Sequence, residues 1–470
     1  MAIDTREPAE KKLMSMIDSA GEELESLSVR YKENVWNTLV GQPAPDLSKL
    51  EDQLLHAMTN PEWLSYLKNH QTDDALLARR MQIMRLEVER TMIERNESVV
   101  EIQQAITSKL NSPDIFKLHH ILNFDSRRDQ RRLALKKLGE TAQSLRPMLI
   151  TLVLRRHEAA RQIGYRNYTE LYQHIIETSF DDGIATCEPS VQSAAPVFQA
   201  WRDASEKSFG GFEHHDFQYA ATLAHRFPYD EKIKPETINA LVLSVLDEMG
   251  FSDLPISTYD AGSQFPSMCF PIRVPSDVRL FMSTKTGYET YRLLLKEFGK
   301  ALYYACVAQD VYEFKTPNTV MIETCANVFL RLMTTEDKLS QIGLSSSEVE
   351  GALAFEEKIR SVESFTLMAL TRFEHGLYEK EETQLNDWWA KLYHDGLSIE
   401  GTITPDWPLQ SIFAASPFKS AEYMLSTTLA EKLVRQLSGL PASEQGESLR
   451  QNVYSHGNSK SWKEIIEFFN

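Results

Sequence analysis

The chain has 470 residues, 42% hydrophobic and 25% charged, an ordinary globular composition with enough apolar mass for a sizeable core. Its formal net charge of −17 argues against a nucleic-acid backbone or an anionic membrane as partner, since both need basic surface. There is no apolar signal-like stretch near the start, no apolar run of membrane-spanning length, and no CxxC pairing among Cys187, Cys269, Cys306 and Cys325, so a cytoplasmic protein with reduced thiols is expected.

Residues 1–40 read as one long amphipathic helix of mixed charge, broken by Gly41-Gln-Pro-Ala-Pro45. Helical periodicity returns over 48–59, 60–69 and 73–110, and Asn111-Ser-Pro113 opens another helix. The segment 126–145 is helical and strongly basic (Arg127, Arg128, Arg131, Arg132, Lys136, Lys137), which reads as a solvated face or as interface salt bridges. Residues 145–176 read as a long helix broken near Gly164, followed by helices at 190–208, 215–224 and 235–249. Glu213-His-His-Asp216 lies next to Gly210-Gly211, a loop-like setting in which a surface metal ion could be picked up. A β-like pattern is confined to about 254–284. Further helices are expected near 346–378, 383–394, 418–438, 444–455 and 460–469. The expected fold class is all-α with a small β-sheet, built as one unit over 1–470. Its N-terminal helical lobe would span about 1–145, and a lobe of about 146–470 would carry the candidate site.

That site centres on residues 291–305. From Leu293 to Ala308 the charged residues are Lys296, Glu297 and Lys300, within a run of Leu, Phe, Ala, Tyr, Val, Cys and one Gly. A helix apolar nearly all round is a buried helix, so these charges must be paired or face a water-filled cleft. Lys296 and Lys300 are four apart and share a face, while Glu297 lies about 100° round the helix from Lys296. The spacing Lys-Glu-x-x-Lys is that of His-Glu-x-x-His, in which two histidines hold zinc and the glutamate is the base.

Upstream runs Met268-Cys-Phe-Pro-Ile-Arg-Val-Pro-Ser-Asp-Val-Arg-Leu-Phe-Met282, and downstream Met321-Ile-Glu-Thr-Cys-Ala-Asn-Val-Phe329. With these flanks the chain resembles the M3 and M2 gluzincin metallopeptidases (oligoendopeptidase F, thimet oligopeptidase, angiotensin-converting-enzyme-like). The resemblance covers roughly 75–470 and takes in Leu154–Tyr168, Arg372–Tyr378 and Trp407–Tyr423. It implies a mainly helical, two-lobed clam around a central channel, with Glu323 where the third zinc ligand stands. In the family pattern "WxxxxHxxxxPFYxYxY" the intermediate-stabilising His falls here on Ile412, or on Ser411 if the register slips. The first Tyr becomes Lys419, the second Ala421, and Tyr423 remains. Asn327 takes the place of an acidic residue that often follows the third ligand.

Zinc needs imidazole, thiolate or carboxylate donors, and a lysine ammonium has no lone pair to give. No metal and no other cofactor is therefore expected. The charges of Lys296 and Lys300 would instead offset Glu297 and Glu323. Repulsion between the two amines and their burial would lower one pKa, whereas the glutamates would raise it, and sequence leaves that contest open. Two readings follow. One is a pseudopeptidase that binds a peptide or peptide-like small molecule in the channel, with Lys419, Asn327 and Ser411 contributing to binding. The other is a metal-independent enzyme in which Lys296 or Lys300 acts with Glu297, Glu323 and Tyr423 on an amide or carbonyl. Ordinary zinc hydrolysis ranks last. Nucleic acid and membrane are not expected as partners, and oligomeric state is left open.

Overall fold

A computed structural model describes residues 8–469, so the first seven residues of the expected opening helix lie outside the described residues. The protein is 74% helical with one small sheet. Helix α1 (Pro8–Leu39) buries Leu13, Ile17 and Leu24 against Leu77, Met81 and Met84 of α2 (Ala75–Glu94). The helix expected over 73–110 divides at Asn96, whose side chain accepts the Ser98 N–H at 3.1 Å and caps a new helix. Helix α3 (Arg128–Gln162) runs straight through Pro147, because Leu145 and Leu149 on either side are fully buried and tertiary packing outweighs the missing N–H. It ends just before Gly164, which takes the left-handed backbone (φ 101°).

The basic run on α3 divides its labour. Arg131 is buried and pairs with Asp216 at 2.6 Å, while Arg132 is exposed. His214, His215 and Asp216 are buried too, which corrects the surface-loop reading of that segment. Thr404 N–H donates to His214 Nδ1 at 3.1 Å, and burial pushes the His214 pKa down to about 3, so this imidazole is a neutral core acceptor. Helix α4 (Phe180–Phe209) begins earlier than its sequence pattern implied, since Ser179 caps it by accepting the Asp182 N–H at 3.0 Å and Pro189 is tolerated inside.

The sheet is three-stranded: β1 (Ile256–Asp260), β2 (Met268–Arg273) and β3 (Asp277–Met282), in the order β1-β3-β2. The central β3 runs parallel to β1 and antiparallel to β2, with Cys269 opposite Leu280. Trp36 of α1 packs edge-on against Phe270 and Phe281 (5.3 and 5.8 Å between ring centres), joining the N-terminal helix to the sheet.

Four further helices form the framework behind the sheet: α5 (Tyr288–Cys306), α6 (Thr319–Met333), α7 (Ser346–Glu379) and α8 (Lys419–Leu437). Their apolar faces share one core, which includes Leu295, Phe298, Val328, Phe329, Leu429 and Leu433. A second large core gathers α3 with the segment up to Ala421 around Leu149, Phe373, Trp389 and Trp407. At Gly299 the backbones of α5 and α6 approach so closely that an added Cβ would lie 2.6 Å from the Cys325 carbonyl oxygen. That approach brings the charged face of α5 against Glu323.

Candidate functional site

Lys300 lies between two carboxylates. Its Nζ is 3.0 Å from Glu297 Oε1, one turn back on α5, and 3.3 Å from Glu323 Oε1 on α6. The other Glu297 oxygen accepts the Cys269 N–H of β2 at 2.8 Å, so the sheet edge holds this carboxylate from the far side. Burial works against the Lys300 ammonium, but Glu297 and Glu323 outweigh it, and its pKa lies above the ordinary lysine value. The contest left open by sequence thus goes to the glutamates.

Lys296 does not join this cluster. It faces the group of charges around Arg292, a turn earlier on α5. Arg292 is buried and pairs with Glu356 at 2.9 Å and Glu363 at 3.3 Å. Glu289 and Glu363 resist their burial and are held below the usual carboxyl range, Glu289 chiefly by His225 and Arg292, Glu363 chiefly by Arg292, with Lys296 adding to both. The expectation that both amines offset Glu297 and Glu323 is therefore met by Lys300 alone. The reason lies in helix geometry: side chains four apart diverge by about 40°, and Arg292 gathers a separate carboxylate group beside the first.

Around the pair stand residues from α8. Tyr423 is partly exposed, and its hydroxyl pKa is raised by burial and by the nearby Glu323. The Lys419 ammonium pairs with Glu422 at 2.7 Å and lies 5.0 Å from the centre of the Tyr423 ring. Asn327 donates its side-chain amide to the Glu323 carbonyl at 3.0 Å, so it braces the α6 backbone rather than the carboxylate. Ser411 is exposed at the start of a five-residue helix, Ser411–Ala415, and among the described residues makes no hydrogen bond to this cluster. The register that puts a side chain from this segment into the site therefore finds no support at Ser411.

Three residues at the site escaped the sequence reading. Tyr304 is four positions beyond Lys300; burial raises its hydroxyl pKa and Cys269, Glu323 and Glu297 add to the shift. The i, i+4 spacing from Lys300 was the available signal. Glu422 is buried among Tyr172 Oη (2.5 Å), Thr319 Oγ1 (3.1 Å) and Lys419, with partners far apart in sequence. Phe418 takes a left-handed backbone (φ 59°), fixed by its N–H donating to buried Glu374 at 2.7 Å, and this turn aims Lys419 and Tyr423.

A separate cavity lies further along α6 and α8. Glu323, Asn327 and Arg331 are spaced four apart on α6, as are Tyr423, Thr427 and Glu431 on α8, so each triplet lines one face. Arg331, Arg360, Thr427 and Glu431 border a cavity of about 180 Å³. Among the described residues neither guanidinium has a carboxylate within 4.0 Å. Burial and the neighbouring Arg360 push the Arg331 pKa down to about 10.

A zinc ion does not fit the residues present. Glu297 and Glu323 are carboxylate donors, but the group between them is an ammonium that can only donate. Among the described residues no group of three or more His, Cys, Asp or Glu side chains could hold a metal ion. No helix there is long and apolar enough to cross a membrane.

No family model and no curated protein matches the sequence. Among solved structures the chain is similar to an M32 carboxypeptidase from Deinococcus radiodurans R1, with a TM-score of 0.63 and 14% identity over 97% of this chain and 95% of that one. It is also similar to the Pyrococcus furiosus carboxypeptidase in its Apo-Mg form, with a TM-score of 0.64 and 13% identity over the same shares. The sequence resemblance pointed to M3 and M2 peptidases, whereas the structural likeness is to M32 enzymes. At this identity the likeness is one of fold: the chain shares the mainly helical architecture of these carboxypeptidases.

Proposed function

We propose that this chain is a metal-independent protein of peptidase fold that holds a peptide or peptide-like molecule along α6 and α8 without hydrolysing it. The observation that carries this reading is the Lys300 ammonium set between Glu297 and Glu323. In the resemblance to His-Glu-x-x-His enzymes, this lysine stands where a zinc ligand would, and its charge supplies part of what the metal would have supplied. Water activation by a Lewis acid is then lost, while the fold persists.

The cavity beside Arg331 supports a ligand with a free carboxylate. The guanidinium groups of Arg331 and Arg360 lack carboxylate partners of their own, and planar guanidinium matches carboxylate geometry. A carboxypeptidase-type fold is compatible with a ligand held by its terminal carboxylate. Lysine-based chemistry is less well supported, since a nucleophilic or basic amine needs a lowered pKa and that of Lys300 is raised.

The test is to incubate the purified chain with a mixture of short peptides, half with free and half with amidated C-termini, and to analyse retained and free fractions by mass spectrometry. The expected result is intact free-carboxylate peptides in the retained fraction, lost in Arg331→Glu/Arg360→Glu. Cleavage products that disappear in Glu297→Gln would overturn the non-hydrolytic reading.

A further inference from the structure

Between α2 and the start of α6, at the end of α6 opposite Arg331, lies a second feature that the Lys300 cluster leaves unused. A cavity of about 280 Å³ has an apolar wall of Ile83, Leu86, Ile175, Pro317 and Ile322, with Tyr304 beside it, and a polar rim that includes Glu87, Arg90 and the Arg79–Glu177 ion pair. An adjoining cavity of about 490 Å³ runs past Tyr168, Tyr172, Lys419 and Glu422. Both are bordered by Arg90 and Thr319, so Arg90 stands at the mouth between them.

The charge balance at this mouth is unusual for so acidic a chain. Lys419 is taken by Glu422, and Arg95 by Glu51. Arg90 is exposed, and among the described residues no carboxylate lies within 4.0 Å of it. Among the described residues, neither of its two helical neighbours of opposite sign forms an ion pair with it. Glu94 is engaged by Arg156 (3.1 Å) and by the Tyr168 hydroxyl (2.7 Å). Glu87 also lines the cavity; burial outweighs Arg90 and Lys32 and raises its pKa, and among the described residues it forms no ion pair with Arg90. An unpaired guanidinium beside an apolar hollow is complementary to a ligand that is apolar and acidic at neighbouring positions.

We propose that this hollow is a subsite for a bulky apolar side chain of the bound peptide, and that Arg90 pairs with an acidic side chain next to it. The inference rests on the peptide-binding reading above and adds its specificity. Thr319, which borders both cavities, lies four residues before Glu323 on the same face of α6, so an occupant of the hollow lies one turn from the Lys300 cluster, and the same ligand continues along that face towards Arg331.

The experiment uses the full chain and four fluorescently labelled peptides with free C-termini, identical except for a central pair: Leu-Glu, Leu-Lys, Ser-Glu or Ser-Lys. Anisotropy titrations are expected to rank Leu-Glu first, about tenfold tighter than Leu-Lys and about tenfold tighter than Ser-Glu. Arg90→Glu, an exchange at an exposed position, should reverse the Glu-over-Lys preference and keep the Leu-over-Ser preference. Ile83→Glu should abolish the latter, with a thermal midpoint checking that each variant is folded. Equal affinity for all four peptides would overturn the subsite while leaving peptide binding intact. Failure of every peptide to bind would overturn the peptide reading itself, and this subsite with it.

Discussion

Lys300 is both a partner of two carboxylates and a group only partly withdrawn from water, its side chain 22% exposed. Removing one member of such a cluster leaves the others uncompensated, which usually costs more than the cluster contributed in net terms. Lys300→Met should therefore lower unfolding free energy by about 2–3 kcal/mol, less than a fully buried pair because of the remaining solvent contact. A second change, Glu323→Gln, should recover a large part of that loss, so chemical denaturation of the two single variants and the double variant is expected to be clearly non-additive. Additive losses would mean that the two side chains act independently. The pH dependence has a fixed sign. Because the folded pKa of Lys300 is raised, its contribution is fully present below the ordinary lysine value and is lost as pH rises through the higher folded value. The wild type's advantage over Lys300→Met should thus shrink in strongly alkaline solution.

At the scale of elements, the site depends on how closely α5 and α6 pack. An added Cβ at Gly299 would meet the Cys325 carbonyl oxygen at 2.6 Å and the Ala326 Cα at 2.8 Å, both main-chain atoms that cannot turn aside. Gly299→Ala should gain a little helix propensity and lose more to overpacking, a net destabilisation of about 1–3 kcal/mol in denaturant unfolding. An unchanged midpoint would show that the two helices can separate freely. Sequence made this helix pair legible, because an apolar run carrying few charges reads as buried and Glu323 falls on the next helix. It did not reveal which carboxylates each lysine would take. Lys296 and Lys300 look equivalent as letters, yet Arg292 one turn away gathers Glu356 and Glu363 and makes the two ends of the motif different. The start of α4 was hidden in a similar way: the helix expected from 190 begins at Phe180, under a Ser179 cap, and runs through Pro189.

For the molecule as a whole, the helical architecture and the small sheet near 254–284 could be read from periodicity and composition, while the short motifs around residues 268–329 pointed to M3 and M2 peptidases and the fold proved similar to that of M32 carboxypeptidases. What sequence could not supply was long-range assembly. Arg331, Arg360 and Arg90 attract no attention individually, and their meaning comes from which carboxylates fail to reach them once the chain is folded. The two unpartnered arginines, the lysine-bridged carboxylates and the hollow with Arg90 lie beside Arg331, Glu323 and Thr319 in turn, residues spaced along one face of α6. A ligand with a terminal carboxylate and an apolar–acidic stretch would meet all three.

The claim on which this account turns is that an ammonium, and no divalent cation, bridges Glu297 and Glu323. The most direct measurement is elemental mass spectrometry of the chain purified from zinc-replete medium without chelators, alongside Glu323→Gln. The account predicts zinc far below one ion per chain in both proteins. Stoichiometric zinc in the wild type that is lost in Glu323→Gln would contradict it.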